Sequence, residues 1–431
     1  MLKLGTNNLA GTMLKQVTST DLGVETMRRL DALSLFSEGG DGVTRRFATK
    51  EHRQATEMIQ TWMRDAGMEA HVDAAGNVIG RYQATTPDAP ALIIGSHQDT
   101  VRQGGKYDGA YGIVAPISCI GALNDEGVRF PFAIEVIAFC DEEGVRFNTT
   151  LLGSRAIAGT FDMDGLENTD ASGITMLNAL KEFGSNPAEI PDLARDPKSV
   201  LGFVEVHIEQ GPVLEEENLA LGVVTAIAGG TRLSAKITGL AGHAGTVPMD
   251  RRNDALTAAA EAILTVETYC FKLPGLVGTV GKISAAPGAV NVIPGDVTFT
   301  IDIRAGEDDL RRKAVNDIKA EITSICERRG VQIEIETIHE SDGCQCAPWL
   351  MDQLDAAVTT SGHPQKRMMS GAGHDGMAME HITDIGMLFI RCKGGISHHP
   401  AEAISVADAD AGAQALLHFI KNFNPQDRET A

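Results

Sequence analysis

Short apolar runs separated by helical stretches dominate the chain between residues 92 and 206. Buried strands are predicted at Leu92–Ile94, Ile134–Phe139 and Phe203–Val206, and a helix at Glu51–Ala66. Uniformly apolar strands with intervening helices are typical of a largely parallel sheet covered on both faces, because parallel neighbours need long crossover connections. The pattern therefore predicts an α/β layered domain.

A different pattern begins near residue 227 and ends near residue 338. In the strand predicted at Val297–Ile303, apolar and polar residues alternate, which is typical of a strand buried on one face. The elements predicted here follow the order strand, helix, strand, strand, helix, strand: Leu233–Ile237, Arg252–Tyr269, Val277–Ile283, Val297–Ile303, Leu310–Ile325 and Val331–Ile335. That order is the split unit of ferredoxin-like domains.

The first pattern resumes at Met387–Ile390, where a final buried strand is predicted. A chain of 431 residues is also long enough for two domains, since globular domains usually have about 100–200 residues. We therefore predict a mixed α/β fold. A catalytic domain with a largely parallel sheet would be formed by residues 1–226 and 339–431, and a ferredoxin-like α+β lid or dimerisation domain at 227–338 would be inserted into it.

The charge balance argues against two classes of partner. The chain has 37 Lys and Arg and 58 Asp and Glu, a formal net charge of −21, whereas nucleic acids and anionic membranes both require a positive face. A small anionic substrate remains compatible, because a local arginine can outweigh the overall charge.

No apolar run approaches the roughly 18 residues of a membrane span, and the N-terminal residues lack the apolar core of a signal peptide. Seven scattered cysteines, an odd number, favour reduced thiols and a cytoplasmic location.

Side chains of the types that bind metals follow four of the predicted strands. They are His97 and Asp99 after the first, Asp141, Glu142 and Glu143 after the second, His207 after the third, and His398 after the last. Open α/β sheets bind ligands at the carboxyl ends of their strands, so parallel strands would bring these side chains into one crevice. Asp108, in a glycine-flanked loop, adds a further carboxylate close to His97.

This set of side chains suits two divalent cations. A two-metal hydrolytic site holds its ions about 3.5–4 Å apart, which requires a bridging carboxylate. Asp108 is the expected bridge because it stands alone in its loop. His97 and His207 would then complete one ion site, and Glu143 and His398 the other.

The adjacent acids Glu142 and Glu143 point in different directions in an extended segment, so one can coordinate while its neighbour acts as general base. Asp99, two residues after His97, is placed to orient that imidazole through its second ring nitrogen. The structural alternatives are a strand-end cap for Asp99 and a solvated acidic turn for the glutamate pair.

Eight motifs follow one another in an order found in known metal-dependent amidases: GSHQDTV, KYDGAYG, AFCDEEGVRF, EVHIEQGPVLE, GHAGTVPM, NVIPGDVTFTIDIR, SGAGHDGMAM and GGISHHPAE. From about Arg45 to Phe423 the chain resembles the hydantoinase/carbamoylase-type amidases, a branch of the dinuclear metallopeptidases related to aminoacylases and carboxypeptidase G. The last third is most similar to allantoate amidohydrolases of the plant type.

The resemblance implies His97, Asp108 and His207 as ligands of one metal, and Asp108, Glu143 and His398 as ligands of the other. It also implies Glu142 as general base, and it places the last ligand at His398, which leaves the neighbouring His399 as a surface or supporting residue. Two ions per subunit are expected. They are usually Mn²⁺ in this group, although the ligand types fit Zn²⁺, Co²⁺ or Ni²⁺ equally well.

The activity implied by the resemblance is hydrolysis of a ureido C–N bond in a small anionic substrate. Allantoate is the leading substrate, and its products would be ureidoglycine, ammonia and carbon dioxide. The alternatives are an N-carbamoyl-L-amino-acid hydrolase, a β-ureidopropionase or a ureidoglycolate amidohydrolase. A dipeptidase or aminoacylase is more distant, because His207 replaces the acidic ligand typical of the peptidase branch.

The residues that the resemblance implies for substrate binding are Gln210, His243, Asn291, Arg304, Gly373 and His374. Arg304 lies on the polar face of its strand and could hold a carboxylate with two parallel hydrogen bonds, or it could form an ordinary salt bridge. His243, in a glycine-rich segment, could donate to the oxyanion that develops on the attacked carbonyl. In this family the equivalent histidine comes from the partner subunit, which implies a homodimer formed through the inserted domain.

Overall fold

The computed structural model describes Leu22 to Glu429, so the N-terminal residues considered for a signal peptide lie outside the described range. The chain divides into two compact units. The first contains the described residues up to Leu221 together with Ala356–Pro364 and Leu388–Pro425. The second contains Gly222–Asp355 and Gln365–Met387, with the described residues from Gln426 to Glu429.

The helices and strands of the described residues are numbered in chain order. The α-helices are α1 (Leu22–Leu33), α2 (Lys50–Asp65), α3 (Ala110–Asp125), α4 (Leu152–Ala158), α5 (Met176–Phe183), α6 (Val213–Glu216), α7 (Ala255–Phe271), α8 (Asp308–Arg329), α9 (Pro348–Thr360), α10 (Gly376–Met379) and α11 (Val406–Asn422). Short 3₁₀ helices occur at Met163–Glu167, Pro187–Leu193, Pro197–Ser199, Met249–Arg251, Lys393–Gly395 and Pro425–Glu429. No described helix combines the length and the apolar character that crossing a membrane requires.

The strands are β1 (Glu69–Val72), β2 (Val78–Tyr82), β3 (Ala91–His97), β4 (Ala133–Phe139), β5 (Val200–Ile208), β6 (Leu221–Ile227), β7 (Gly229–Thr238), β8 (Gly242–His243), β9 (Leu276–Thr279), β10 (Ile283–Ala286), β11 (Val292–Ile293), β12 (Asp296–Ala305), β13 (Gln332–Ser341), β14 (Cys344–Gln345), β15 (Arg367–Ser370) and β16 (Ile385–Ile390). Strands are thus present at each of the four places where the apolar runs predicted buried ones.

The sheet of the first unit is built around parallel strands. Its neighbouring strands follow the order β1-β2-β4-β3-β5-β16, in which β3 runs parallel to both β4 and β5. The edge strands β1 and β2 are antiparallel additions. Every residue of β3 and β4 is buried, and α3, itself almost wholly apolar and buried, packs against β3. The prediction of a mixed α/β fold with a mostly parallel central sheet is confirmed.

Because β3, β4 and β5 are parallel, the residues that follow them lie at one edge of the sheet of the first unit. The carboxyl ends of β3, β4 and β5 lie side by side, because His97 is opposite Phe139 in the β3–β4 register and β5 flanks β3 on its other side. The helix predicted at Glu51–Ala66 is α2, whose start is capped by Thr49 and whose apolar stripe is buried.

The second unit contains an antiparallel sheet of order β10-β12-β7-β13, with β9 also paired to β12. Helices α7 and α8 pack against β7 and β12. Alternation along β7 and β12 sends the apolar side chains to the helix side, where they form the core with both helices. The predicted helices and strands occur in the predicted order, but the short strands β8 and β11 were not predicted.

One predicted strand of this unit is wrong in detail, because Val277–Ile283 is interrupted. Thr279 pairs with Asp302, and Ile283 pairs with Phe299. The four residue steps from Thr279 to Ile283 therefore lie opposite only three residue steps of β12. The extra residue is a bulge in the stretch that contains Gly281, and it divides the predicted strand into β9 and β10.

Candidate metal centre

Three buried side chains of the first unit converge on one carboxylate oxygen. His97 ends β3, His207 lies near the end of β5, and Asp108 stands two residues before α3. The distance to Asp108 Oδ1 is 3.5 Å from His97 Nε2 and 3.1 Å from His207 Nε2. All three residues are at most 5% exposed. The predicted ligands of the first metal are therefore brought together.

The ring nitrogens of the two histidines are oriented as in metal ligands. His97 Nδ1 is 3.1 Å from the carbonyl oxygen of Asp99, and His207 Nδ1 is 2.9 Å from that of Ile208. A carbonyl oxygen can only accept, so each Nδ1 carries the hydrogen and each Nε2 is directed at Asp108. Carbonyl partners of this kind fix the tautomer and ring orientation of metal-binding histidines.

Asp108 provides the observation that tests whether a cation fits. Its buried Oδ1 accepts no hydrogen bond from the described residues, yet two imidazole nitrogens face it. Burial raises the pKa of Asp108, but the neighbouring imidazoles of His207, His398 and His97 outweigh burial and hold that pKa well below its ordinary range. An ionised carboxylate among imidazole nitrogens is a donor set that divalent transition metals accept. The residues present therefore fit the metal.

The second oxygen of Asp108 faces a second group. His398 Nε2 is 3.2 Å from Asp108 Oδ2 and 3.3 Å from Glu143 Oε1. Hydrogen bonds with Asp108 and Glu143 raise the pKa of His398 to about 10. Asp108 thus presents one oxygen to each predicted set, which is the geometry that a bridging carboxylate needs. The neighbouring His399 is exposed, and its Nδ1 accepts from the backbone N–H of Ala401.

The acidic turn after β4 is held by Asp99. The two oxygens of its carboxylate accept from the backbone N–H groups of Glu142 (3.0 Å) and Glu143 (3.2 Å). The carboxylate is also 3.5 Å from His97 Nδ1, farther than the carbonyl oxygen of Asp99 itself. Asp99 therefore orients the imidazole mainly through its main chain, whereas its side chain holds the two glutamates.

The side chain of Glu142 lies beside the predicted ligands. One of its carboxylate oxygens belongs to a group with ligand atoms of His97 and Glu143, all within 4.8 Å of one another. Glu142 is partly exposed, as a group that exchanges a proton with a water molecule must be.

Three further residues surround the centre, of which the sequence analysis named only Asp141, without a role. Asp141 is buried, and burial together with the nearby charge of Asp99 raises its pKa well above the ordinary range. Ser397 and Glu402 lie on either side of His398 and hydrogen-bond to one another at 3.1 Å. The signal for all three was present, because each belongs to a motif that also contains a predicted ligand.

The predicted substrate residue of the first unit, Gln210, contacts the second ligand set. Its Nε2 is 3.0 Å from Asp108 Oδ2 and 3.1 Å from Ser397 Oγ. The residue has a φ of 57°, a left-handed conformation in the turn that follows β5. The amide is thus held next to the predicted bridge.

Arg304, on β12 of the second unit, is already engaged with a carboxylate. Its Nε and Nη2 donate to the two oxygens of Asp302 at 2.9 and 3.2 Å, and its Nη1 donates to the carbonyl of Gly371 at 2.8 Å. A guanidinium has five N–H donors, so one hydrogen on each terminal nitrogen is left by these contacts. The salt-bridge alternative is present, and it leaves a second edge that can still bind a carboxylate in the bidentate manner.

The remaining predicted residues of the second unit form two local groups. His243 pairs with Val292 in the short β8–β11 ribbon, where Asn291 accepts from the N–H of Ala244 at 2.9 Å, and His243 is exposed. His374 is buried in the loop after β15, with its Nε2 2.8 Å from Ser370 Oγ, and Gly373 precedes it in the same loop.

A protein-family model described as peptidase family M20/M25/M40 matches residues 93–422 of the chain. That family is hydrolytic and depends on two metal ions, in agreement with two ligand sets that share Asp108. The fold and the site therefore define a metal-dependent hydrolase that acts on C–N bonds.

Similar proteins of known name show to which branch of this family the chain belongs. An allantoate deiminase of Arabidopsis thaliana is 44% identical over 435 residues, which cover 92% of this chain and 82% of that protein. An N-carbamoyl-L-amino acid amidohydrolase of Geobacillus stearothermophilus is 40% identical, covering 88% of this chain and 93% of that one. The crystal structure of a hydantoinase/carbamoylase family amidase from Burkholderia multivorans matches with a TM-score of 0.88 and 31% identity, covering 92% of this chain and 97% of that one. The chain belongs to the M20/M25/M40 peptidase family and, within it, to the hydantoinase/carbamoylase-type amidases, as its motifs predicted.

Proposed function

We propose that the chain hydrolyses a ureido C–N bond of allantoate and that the carbamate left by this step breaks down, so that the products are ureidoglycine, ammonia and carbon dioxide. The observation that carries the proposal is the pair of ligand sets sharing Asp108, with the carboxylate of Glu142 beside them. The likeness to an allantoate deiminase favours this substrate over an N-carbamoyl amino acid, a β-ureido acid or ureidoglycolate.

We assign one metal to His97, Asp108 and His207, and the other to Asp108, Glu143 and His398. The ions are proposed to be Mn²⁺ on the basis of the family resemblance, while Zn²⁺, Co²⁺ and Ni²⁺ suit the same ligand types. When bound, they supply Lewis acidity and lower the pKa of the attacking water.

Glu142 is the proposed general base. Its backbone is held by Asp99, so its carboxylate stays beside His97 and Glu143 without rearrangement. It takes a proton from the water that attacks the ureido carbonyl and later returns the proton to the leaving nitrogen. The same carboxylate thus acts as base and then as acid.

The substrate carboxylate is proposed to bind the outer edge of Arg304. Asp302 holds the guanidinium in a fixed orientation from the opposite edge, which reduces the entropy that Arg304 loses when it binds. Gln210, Asn291, Gly373 and His374 are proposed to bind the remaining polar groups of the substrate.

Arg304→Lys should lower kcat/KM about 10–100-fold, because a point charge cannot replace two parallel hydrogen bonds to a carboxylate. Steady-state kinetics with allantoate would measure the change. Arg232→Lys is the matched control, since Arg232 contacts the same Asp302 at 3.0 Å without a predicted role in binding. Equal losses in both variants would mean that Arg304 serves only the salt bridge.

We further propose that residues 227–338 form a lid and dimerisation domain inserted between catalytic segments 1–226 and 339–431. Large apolar side chains are exposed around the ribbon that bears His243: Leu240, Met249 and Val290 are 67%, 77% and 105% exposed. Exposed apolar groups of this size mark interaction surfaces. A second copy of the chain covering them would form a homodimer and allow His243 to serve the oxyanion of the neighbouring active site.

Mixing His243→Ala chains with Glu142→Gln chains should restore activity if His243 acts across the dimer. Each mixed dimer would then contain one site with an intact base and an intact donor. Random pairing of equal amounts should return about a quarter of the wild-type rate. Each parent alone is expected to lose about 10²-fold or more in kcat. Mixed dimers that remain inactive, with subunit exchange verified by mass spectrometry, would place His243 in its own subunit's site or outside catalysis.

The substrate can be identified by measuring the ammonia released from four kinds of compound in parallel: allantoate, ureidoglycolate, N-carbamoyl-L-amino acids and β-ureidopropionate. We expect the highest kcat/KM with allantoate. A clear preference for another compound would transfer the assignment to that substrate, and dipeptide hydrolysis without ammonia release from any ureido compound would refute the proposal. All seven cysteines are buried thiols, and we propose on this ground a reducing location such as the cytoplasm.

A further inference from the structure

We propose that Glu402 is a positioning residue that holds Asp108 and the loop of His398 in the geometry required to bind both metals. The inference rests on the proposed function insofar as Asp108 and His398 are the ligands. It adds a residue that binds no metal itself, and whose contribution can be measured without a substrate.

One oxygen of Glu402 fixes the main chain at the predicted bridge. The residue is 4% exposed, and its Oε1 accepts from the backbone N–H groups of Tyr107 and Asp108, both at 3.1 Å. These two N–H groups precede the helix that begins at Ala110, so intrahelical bonds do not hold them in place. The orientation of the peptide that leads into Asp108 therefore depends on Glu402.

The other oxygen fixes the loop of the last ligand. Glu402 Oε2 accepts from Ser397 Oγ at 3.1 Å, and Ser397 immediately precedes His398. The same hydroxyl is 3.3 Å from Asp108 Oδ2, and because it has one hydrogen it can donate to only one of the two carboxylates at a time. The hydroxyl therefore stands between the two carboxylates and links Glu402 to the residue that precedes His398.

Both oxygens of Glu402 are thus engaged with groups that support ligands. Among residues 22–429, Glu402 belongs to none of the clusters whose ligand atoms lie within 4.8 Å of one another. The residue consequently acts through Asp108 and His398. Carboxylates that support metal ligands in this way typically contribute 10–100-fold to metal affinity.

Gly105 shows independently how closely the loop of Asp108 approaches this carboxylate. A Cβ at position 105 would lie 2.2 Å from Glu402 Oε1. Gly105 has no positive φ, so alanine would be excluded by the space that Glu402 occupies and not by the backbone conformation. Gly105→Ala therefore displaces the carboxylate while leaving it in the sequence.

The test is calorimetric titration of metal-free protein with Mn²⁺, with thermal unfolding followed by circular dichroism. Glu402→Ala should bind Mn²⁺ at least about tenfold more weakly, and Gly105→Ala should be weakened in the same direction. Glu402→Gln should stay within about threefold of wild type, because the amide oxygen accepts the two N–H groups and the amide nitrogen donates to Ser397. If Glu402→Gln keeps the Mn²⁺ affinity that Glu402→Ala loses, the side chain at position 402 acts through its hydrogen bonds and not through a negative charge.

Asp73→Ala is the matched control. Asp73 is likewise a buried carboxylate of the first unit, and it accepts backbone N–H groups from Ala75, Gly76 and Asn77. This variant should have a lower Tm but keep its affinity for Mn²⁺. Wild-type affinity in Glu402→Ala, or an equal loss of affinity in Asp73→Ala, would overturn the inference.

Two further outcomes remain decisive. If Glu402→Ala does not fold, Gly105→Ala decides, since wild-type affinity in that variant would also overturn the inference. If the wild-type protein itself binds no Mn²⁺, Zn²⁺, Co²⁺ or Ni²⁺, the proposed metal centre fails, and the inference fails with it for a reason that the wild-type titration alone identifies.

Discussion

Replacing Asp108 by alanine should remove both metal ions together and abolish hydrolysis. One oxygen of this carboxylate faces His97 and His207 while the other faces His398, so a single change takes a ligand from each set. Each set would be left with two side chains, His97 and His207 in one and Glu143 and His398 in the other. Metal analysis by mass spectrometry should find fewer than one ion per chain. The loss of Lewis acidity should lower kcat at least about 10³-fold.

His398→Ala is the comparison for that experiment. His398 belongs to only one ligand set, so its removal should lower the occupancy of one ion and leave the other bound by His97, Asp108 and His207. Circular dichroism should verify that both variants are folded. Two ions per chain in Asp108→Ala would refute the bridge, and equal metal loss in both variants would mean that the two sites fill only together.

Replacing Glu142 by glutamine should leave two ions in place but remove most of the turnover. The amide cannot accept a proton from water, and general-base catalysis typically contributes about 10²–10⁴-fold. The turn itself should persist, because Asp99 holds Glu142 through its backbone N–H and not through its side chain. We therefore expect kcat to fall by that factor while metal content and Tm stay close to wild type.

Glu143→Gln tests the distinction within the same turn. Glu143 Oε1 faces His398, so this variant should lose affinity for one ion as well as activity. The carboxylate of Glu142 also lies close enough to His97 to coordinate. Loss of an ion in Glu142→Gln, with full occupancy in Glu143→Gln, would exchange the two roles.

Parallel pairing explains how much of the centre could be predicted from the sequence. Apolar runs identify strands, and strands joined by helical crossovers run parallel, so the residues that follow them must meet at one edge. His97 and His207 meet there through β3 and β5, which are direct neighbours. His398 follows β16, which is a neighbour of β5 in the sheet.

Contacts that depend on fractions of an ångström could not be predicted in this way. Spacing predicted the imidazole of His97 as the partner of Asp99, whereas the carboxylate of Asp99 accepts from two backbone N–H groups of the next loop. The pairing of Arg304 with Asp302 was open to prediction, because residues two apart on a strand share a face. The bulge that divides β9 from β10 was not, since it depends on the register with β12.

The sequence alone determined the residue types, their order along the chain and the strand ends at which they occur, because apolar periodicity and loop composition are local properties. The net charge of −21 also argued against a polyanionic partner. Only the tertiary structure decided which oxygen of Asp108 faces which histidines, and that Glu402 supports a loop almost 300 residues earlier in the chain. Hydrogen bonds require their atoms to be placed within a few tenths of an ångström, and that placement results from the packing of the whole unit and not from any one segment.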